Sequence, residues 1–160
     1  MKHCYKSSIN EKTINLTNVL KRENVEFSLL SYSEYIQFIA IIPMLSANCD
    51  WWLRSINYYA NEIFFANNNL VDTLSHAKAN EIKGIRPIMI IDEKLNLKPK
   101  DIFKYGKFNW TILNVSDKTI AICNDIVANR IFDKNNYIFD FVDTDIKNWL
   151  DNEFINLLFN

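Results

Sequence analysis

The stretch Gly84-Ile85-Arg86-Pro87-Ile88-Met89-Ile90-Ile91 is the strongest strand signal in this sequence. Five of its eight residues are Ile or Met, and a short apolar run of this kind is typical of a strand buried in a core. Pro87 has no backbone N–H, so it must lie where the ladder needs no donor. Residues 84–91 therefore predict the central core strand of the domain.

Further strands are predicted on both sides of this stretch. Residues 25–30 alternate between apolar and polar side chains and then become wholly apolar, and residues 51–54 are a compact aromatic run. Ser116 and Asp117 are typical turn residues between two apolar runs. The predicted strands are residues 25–30, 51–54 and 62–66, and residues 107–115 and 118–124 form a predicted hairpin.

Helical spacing is found in three places. Residues 12–20 favour a short helix. Ser33 is the expected N-cap of a second helix, which Pro43 stops and whose buried face is Tyr35, Ile36, Ile39 and Ile42. The clearest pattern predicts a helix over residues 144–158, capped by Asp143 or Thr144, with these apolar positions on one face: Ile146, Trp149, Leu150, Phe154, Leu157 and Leu158.

Composition excludes several classes of protein. The 160 residues are 49% hydrophobic and 23% charged, with 18 basic and 19 acidic side chains, which excludes a disordered tail, a coiled coil and a disulfide-dense scaffold. The formal net charge of −1 provides no bulk attraction to nucleic acid. No run approaches the roughly 18 apolar residues of a membrane span. We expect one globular domain, residues 1–160, that binds neither nucleic acid nor a membrane.

Residue usage also indicates a source and a compartment. The 22 Asn, 22 Ile and 14 Lys against 4 Arg are typical of AT-rich genes, which favours a low-GC bacterium, its phage or another mobile element. With only 2 Gly, left-handed backbone positions should be occupied by Asn or Asp. Cys4, Cys49 and Cys123 form neither a disulfide framework nor a CxxC pair. A cytoplasmic location is expected, although a chain that had lost a secretion signal would look the same.

The motifs FSLLS at 27–31, WWLRS at 51–55 and GIRPIMII at 84–91 resemble a bacterial domain family of unknown function, with the signature FLLS, WWLRSP and GVRPALWI. Residues 102–115, 130–132 and 145–154 resemble the opening half of the same family, roughly IxFGxYxWxVLDV, RPF and LRKWLNNEF. That family resembles the C-type-lectin-like fold of formylglycine-generating enzymes and of the variable proteins of diversity-generating retroelements. The resemblance implies an α+β fold of mixed or antiparallel sheets with two or more flanking helices.

The order of the two halves is reversed relative to that family. Residues 1–92 resemble its second half, residues 93–100 form a linker, and residues 101–160 resemble its first half. A circular permutation explains this order and is the preferred interpretation; the alternative is a segment that spans the end of one repeat and the start of the next. The motif residues to which the resemblance assigns structural roles are Trp51, Trp52, Arg54, Arg86, Trp110, Arg130 and Trp149.

The aromatic and basic motif residues have structural interpretations. Trp51 and Trp52 point to opposite faces of one strand, and both are expected in the core. Arg54, Arg86 and Arg130 are expected to brace loops through carbonyl or carboxylate contacts, with Asp50 and Asp92 as candidate carboxylates. An anion-binding pair of Arg54 and Arg86 is the alternative.

No motif predicts catalysis or metal binding. His3 and His76 are too scattered for a metal site, and HxH, HExxH and CxxC are absent from the sequence. The acidic cluster Asp140, Asp143 and Asp145 precedes a predicted helix, where negative charge is stabilising. We therefore expect no catalytic residue, no metal and no cofactor.

A binding surface is expected between the WWLRS and GIRPIMII motifs, because lectin-like folds present ligands through the loops of this region. Tyr and Asn combine large contact area with adaptable hydrogen bonding; the alternative interpretation is an ordinary Asn-rich connection. The candidate partner-binding residues within residues 56–83 are Asn57, Tyr58, Tyr59, Asn61, Asn67, Asn68, Asn69 and His76.

The sequence therefore predicts a non-enzymatic binding module with a protein partner. Two other functions stay open. One is a phage or mobile-element inhibitor that occludes a host defence enzyme. The other is an enzyme on a formylglycine-generating-like fold, which a reactive cysteine of low pKa in a cleft would favour.

Overall fold

The architecture is described by a computed structural model that covers residues 13–47, 49–67 and 74–160. These residues form an α+β fold of eleven strands and three α-helices. The helices are α1 (Tyr32–Phe38), α2 (Asp145–Asn152) and α3 (Phe154–Phe159). The strands are β1 (Ile14–Asn15), β2 (Val25–Ser28), β3 (Trp51–Asn57), β4 (Glu62–Ala66), β5 (Leu74–Ala77), β6 (Ile82–Ile85), β7 (Ile88–Ile91), β8 (Ile102–Tyr105), β9 (Phe108–Val115), β10 (Thr119–Cys123) and β11 (Ala128–Ile131).

The strands are arranged in two open mixed sheets. The six-stranded sheet has the order β1-β8-β9-β10-β7-β2, and the five-stranded sheet has the order β11-β6-β3-β4-β5. In the first, β1 pairs in parallel with β8, and in the second, β3 pairs in parallel with β6. The other pairs are antiparallel. The predicted α+β class with flanking helices is confirmed at this level.

Residues 84–91, the strongest strand signal in the sequence, contribute to both sheets. The first of these residues end β6 and the last of them form β7, so the prediction of one continuous strand is wrong. Arg86 and Pro87 carry the chain from one sheet to the other, which confirms that Pro87 lies where no ladder donor is needed. The Pro87 carbonyl oxygen accepts a hydrogen bond of 2.9 Å from the Cys123 N–H. Pro87, which has no backbone N–H, thus lies in the connection between the two sheets, where no strand pairing requires that donor.

Buried apolar side chains form two clusters that meet at β3. Trp52 belongs to the larger cluster and Trp51 to the smaller one, which lies against α1. Both indole side chains are fully buried, as expected for adjacent strand residues that are both covered. The sheet therefore carries core on both faces at this point.

The two halves of the chain share one sheet and one core. β2 and β7, from the first half, pair next to β10 and β9, from the second. Phe154 of α3 lies 5.0 Å from Phe27 between ring centroids and 6.4 Å from Trp110. The strands near residues 27 and 88 therefore share a sheet with the 107–124 hairpin, and the C-terminal helices pack on the same core.

The N-terminal helices differ from their predictions. Residues 13–20 form β1 and a turn, so the helix predicted over 12–20 is wrong within the described residues. α1 is capped by Ser31, whose hydroxyl accepts from the Glu34 N–H at 3.1 Å while Glu34 accepts from the Ser31 N–H at 2.7 Å. This reciprocal capping box starts the helix two residues before the expected cap, Ser33. The helix ends at Phe38, before Pro43, and it buries Tyr35 and Phe38 while Ile36 and Ile39 are exposed.

The remaining differences concern elements with weak local patterns. The helix predicted over residues 144–158 is interrupted at Glu153, with a φ of −116°, and becomes α2 and α3. Strands β5, β8 and β11 and the start of β6 were not predicted. β5 is an edge strand with exposed Ser75 and His76, so it carries no alternating apolar pattern that would reveal it.

Candidate partner-binding surface

The β3–β4 turn presents two tyrosines from a fixed backbone. The Asn57 Oδ1 atom accepts hydrogen bonds from the N–H groups of Tyr59 (3.2 Å) and Ala60 (3.4 Å). Asn61 has a φ of +52°, as expected for Asn in a glycine-poor chain, whereas the other described non-glycine residue with a left-handed φ is Lys100 (+78°), which the expectation of Asn or Asp did not include. The side chains of Tyr58 and Tyr59 are exposed, as a contact surface requires.

A second segment, which the sequence analysis did not select, lies against this turn. The Tyr58 hydroxyl donates to the carbonyl oxygen of Phe139 at 3.4 Å. The Asn61 side-chain amide donates to the carbonyl oxygen of Asn136 at 2.5 Å. The two segments together form what we call the aromatic patch, whose side chains are between 61% and 105% exposed: Tyr58, Tyr59, Tyr137, Phe139 and Val142.

The segment that carries Tyr137, Phe139 and Val142 is anchored from beneath. Phe132 and Ile138 are buried in the larger core cluster. Phe132 packs 5.5 Å from Trp52 between ring centroids. The signal that could have revealed this surface is the density of apolar residues in 137–142; Ile138 is buried there between the exposed Tyr137 and Phe139.

Hydrogen bonds to two carboxylates hold the same segment in place. Asp133 accepts from the N–H groups of Asn135 (2.7 Å) and Asp145 (2.8 Å). Asp145 in turn accepts from the Lys134 N–H at 2.8 Å. The exposed aromatic residues are therefore presented by an ordered loop.

Residues of both segments line a cleft of about 390 Å³. Arg54, Ser55 and Tyr58 line it from β3 and its turn, and Phe139 and Asp140 line it from the loop. The cleft is open to solvent and combines aromatic walls with groups of both charges. It is the concave part of the aromatic patch.

Arg54 is paired inside this region with Glu34. Its guanidinium donates to Glu34 and to the carbonyl oxygen of Leu29 (3.0 Å). Burial by itself raises the pKa of Glu34, but hydrogen bonds from Arg54 and the Ser31 backbone and the positive charge of Arg54 outweigh it, so the pKa lies below its usual value. Asp50 and Asp92 were the expected carboxylates, and that assignment is wrong for Arg54.

Arg86 and Arg130 have structural surroundings. The buried Arg86 donates from Nε to the carbonyl oxygen of Cys123 and from Nη2 to that of Pro43, each at 2.8 Å. Its guanidinium lies 5.3 Å from the Trp51 ring. Since Arg86 is fully buried and Arg54 lines a surface cleft, the two do not form a common anion site on the surface. Arg130 lies over the ring of Trp149 at 5.2 Å.

Of the other candidate binding residues, Asn67 and His76 are described, and neither belongs to the aromatic patch. Asn67 is buried, and its amide donates to Asp50 at 3.0 Å, so its assignment to the contact surface is wrong. Packing of the end of β4 places this side chain inward. His76 lies on β5, 2.6 Å from the Glu62 carboxylate. Asn68 and Asn69 fall outside the described residues.

Cys123 lacks the properties of an activated nucleophile. Burial raises the pKa of the Cys123 thiol to about 12, and Cys123 is fully buried in the larger core cluster. Cys49 is half-buried, and Cys4 and His3 lie outside the described residues. Within residues 13–47, 49–67 and 74–160, no three His, Cys, Asp or Glu side chains are grouped to hold a metal ion. None of the described helices has the length and apolar character needed to cross a membrane.

No protein-family model, curated protein or solved structure matches this chain. The resemblance to a lectin-like bacterial family therefore rests on the sequence motifs alone, and the fold is assigned here as α+β with two open mixed sheets.

Proposed function

We propose that this protein is a non-enzymatic module that binds another protein through the aromatic patch. The observation that carries this proposal is the exposure of five large apolar side chains on two adjoining segments. Contiguous exposed apolar surface of this kind marks interaction sites. Aromatic residues are also enriched at protein interfaces and supply large contact area.

The order of both segments supports the proposal further. Asn57 holds the turn, and Asp133 and Asp145 hold the loop. A surface that is ordered before binding loses less conformational entropy when the complex forms. A flexible Asn-rich connection, the alternative interpretation, would not have these hydrogen bonds within residues 57–61.

The proposed surface retains part of the predicted site and replaces the rest. Asn57, Tyr58, Tyr59 and Asn61 stay in it, whereas Asn67 is buried and His76 pairs with Glu62 on β5. Their place is taken by residues 137–142, which are distant in sequence and adjacent in space.

The test measures affinity for a purified partner, identified by pull-down from the native host and mass spectrometry. Tyr59→Ala should weaken binding by at least about 2 kcal/mol, or roughly 30-fold in Kd, because truncation of a central interface aromatic typically costs this much. Tyr58→Ala should weaken it similarly. Both variants should melt close to wild type, since these side chains are exposed.

Val19→Ala is the matched control. Val19 is also an exposed apolar residue, but it follows β1 at the edge of the other sheet, so its truncation should leave Kd unchanged. Equal affinities for wild type, Tyr58→Ala and Tyr59→Ala would contradict the proposal. If the captured partner is a defence enzyme whose activity falls on binding, the module is an inhibitor.

We also propose that the domain is lectin-like and circularly permuted. Two contacts support a rotated order: the Thr17 hydroxyl accepts from the Gly106 N–H at 3.1 Å, and the Leu158 carbonyl oxygen accepts from the Lys107 N–H at 3.0 Å. Residues near the two ends of the described chain thus contact one turn. A variant that joins residue 160 to residue 1 and opens the chain between Lys98 and Pro99 should fold and melt cooperatively. Failure of this variant to fold, with the unpermuted chain as control, would count against the permutation.

A further inference from the structure

The charges around the aromatic patch are predominantly negative. Residues 132–145 contain four aspartates and a single basic residue, Lys134. The positive charge of Arg54 in the neighbouring cleft is balanced by its ion pair with Glu34. A partner with complementary charge is therefore basic.

The cleft has the chemistry to accept a basic side chain. Tyr58 and Phe139 both line it, as does Asp140, the neighbour of Phe139 in the chain. Asp140 is exposed, and its Oδ1 atom accepts one hydrogen bond, from the Val142 N–H at 3.2 Å. A carboxylate accepts several hydrogen bonds, so this group can also bind a guanidinium or an ammonium. The apolar stem of the same side chain would pack on the aromatic rings.

A second depression continues the cleft. It has a volume of about 150 Å³, shares Phe139 and Asp140 with the first, and is also lined by Tyr137, Asp133 and Asp143. Aromatic and carboxylate groups therefore line both depressions, which together we call the track and which can accept more than one basic side chain.

We propose that the partner presents a basic segment to this track, with an arginine or lysine side chain inserted between Tyr58 and Phe139 and bound to the carboxylate of Asp140. This inference rests on the proposed function and adds to it the chemical class of the partner. Charge complementarity selects the basic segment over an acidic or purely apolar one.

The test uses two tripeptides as probes for the full chain, followed by amide chemical shifts in an NMR titration. Acetyl-Arg-Trp-Arg-amide should shift the amides of residues 58 and 139–143. Acetyl-Glu-Trp-Glu-amide should bind at least threefold more weakly, because its charges meet the aspartates. Raising the salt concentration from about 0.05 to about 0.5 M should weaken the basic probe, since exposed charges are screened.

Two variants locate the interaction. Asp140→Asn should weaken the basic probe at least threefold, and Asp143→Asn provides a second reduction of charge at a side chain that also lines the track. Asp117→Asn, at the exposed tip of the β9–β10 hairpin, is the control and should leave the affinity unchanged. The remainder of each variant spectrum should match wild type, which shows that the loop is still folded.

Equal binding of both probes, shifts confined to other residues, or unchanged affinity in both track variants would overturn the basic-partner inference. None of these outcomes decides the proposed function, because the effect of Tyr59→Ala on a purified partner is measured independently. If Tyr59→Ala did not weaken binding of the purified partner, the proposed binding surface itself would be contradicted.

Discussion

A buried lysine closes an exposed edge of the larger sheet. β2 is an edge strand, and its Phe27 carbonyl oxygen accepts a hydrogen bond of 2.9 Å from Lys147 Nζ of α2. The same ammonium contacts Glu26 at 3.1 Å and Asp151 at 2.8 Å. A buried charge is tolerated when it is paired and hydrogen-bonded, and covering an edge strand prevents it from pairing with another chain.

Lys147→Met should therefore destabilise the protein by about 1–3 kcal/mol, because it leaves the buried Phe27 carbonyl without this donor. Chemical denaturation followed by circular dichroism measures the change in the free energy of unfolding. Lys104→Met is the control, since Lys104 is exposed on β8. A change for Lys147→Met within about 0.5 kcal/mol, the usual range of neutral surface substitutions, would contradict this role.

Trp149 is the second residue on which stability depends. It is buried, as predicted together with Trp110, Leu150 and Phe154, and its ring centroid lies 5.6 Å from that of Phe154. Trp149→Ala should cost about 3–5 kcal/mol, the usual range for deletion of a large buried aromatic. The melting temperature should fall by at least about 6 °C. A melting temperature close to wild type would contradict the assignment of Trp149 to the core. Tyr59→Ala, which truncates an exposed aromatic side chain, is the matched control.

At the scale of elements, α1 depends on its N-terminal cap and on an ion pair with β3. Glu34 takes part in both, because it accepts from the Ser31 N–H and from the Arg54 guanidinium. Its pKa is lowered in the folded protein from an ordinary value of 4.5. In the window between the folded and unfolded pKa values, the unfolded chain binds more protons, so this contribution is present above pH 4.5 and lost as the pH falls through the folded pKa.

Glu34→Gln should accordingly lower the free energy of unfolding at pH 7 by about 1 kcal/mol, a typical net hydrogen-bond contribution. The difference from wild type should shrink as the pH is lowered below 4.5. Denaturation curves measured across this range test the prediction. Glu93→Gln, at an exposed loop position, should show no such pH-dependent difference, and a constant difference for Glu34→Gln at every pH would contradict the ion-pair origin.

Elements were predictable where their signal is local. The hairpin of β9 and β10 and strand β4 follow from apolar runs and turn residues a few positions apart. β1 and β11 depend on partners distant in sequence, since β1 pairs with β8 and β11 with β6. Their short, polar segments gain stability only from that pairing, so the local pattern does not reveal them.

At the scale of the whole molecule, neither half should fold alone. Residues 1–97 would lose β8, β9 and β10, whose removal uncovers Met89 and Ile91 of β7. Residues 98–160 would retain a small sheet and two short helices without the strand that they cover. Each fragment would expose apolar side chains that the other covers in the shared core, so both fragments should be unfolded when separate.

The two fragments, 1–97 and 98–160, can be expressed separately and examined by circular dichroism and thermal melting. We expect no cooperative transition for either fragment, and recovery of a cooperative transition when they are mixed. Two fragments that each melt cooperatively would instead indicate two independent domains and would refute the single-domain prediction. The intact chain is the reference for the melting temperature.

The sequence alone was sufficient for the burial of Trp51, Trp52 and Trp149, because strand and helix patterns act over short distances. The exposed position of Tyr58 and Tyr59 was expected from the resemblance to lectin-like folds. Only the tertiary structure divided residues 84–91 between two sheets, paired Arg54 with Glu34 and placed Phe139 beside Tyr58. These contacts join positions that are far apart in the chain. Which of these contacts form depends on which packing of the whole core has the lowest free energy, and a local sequence pattern does not reveal that.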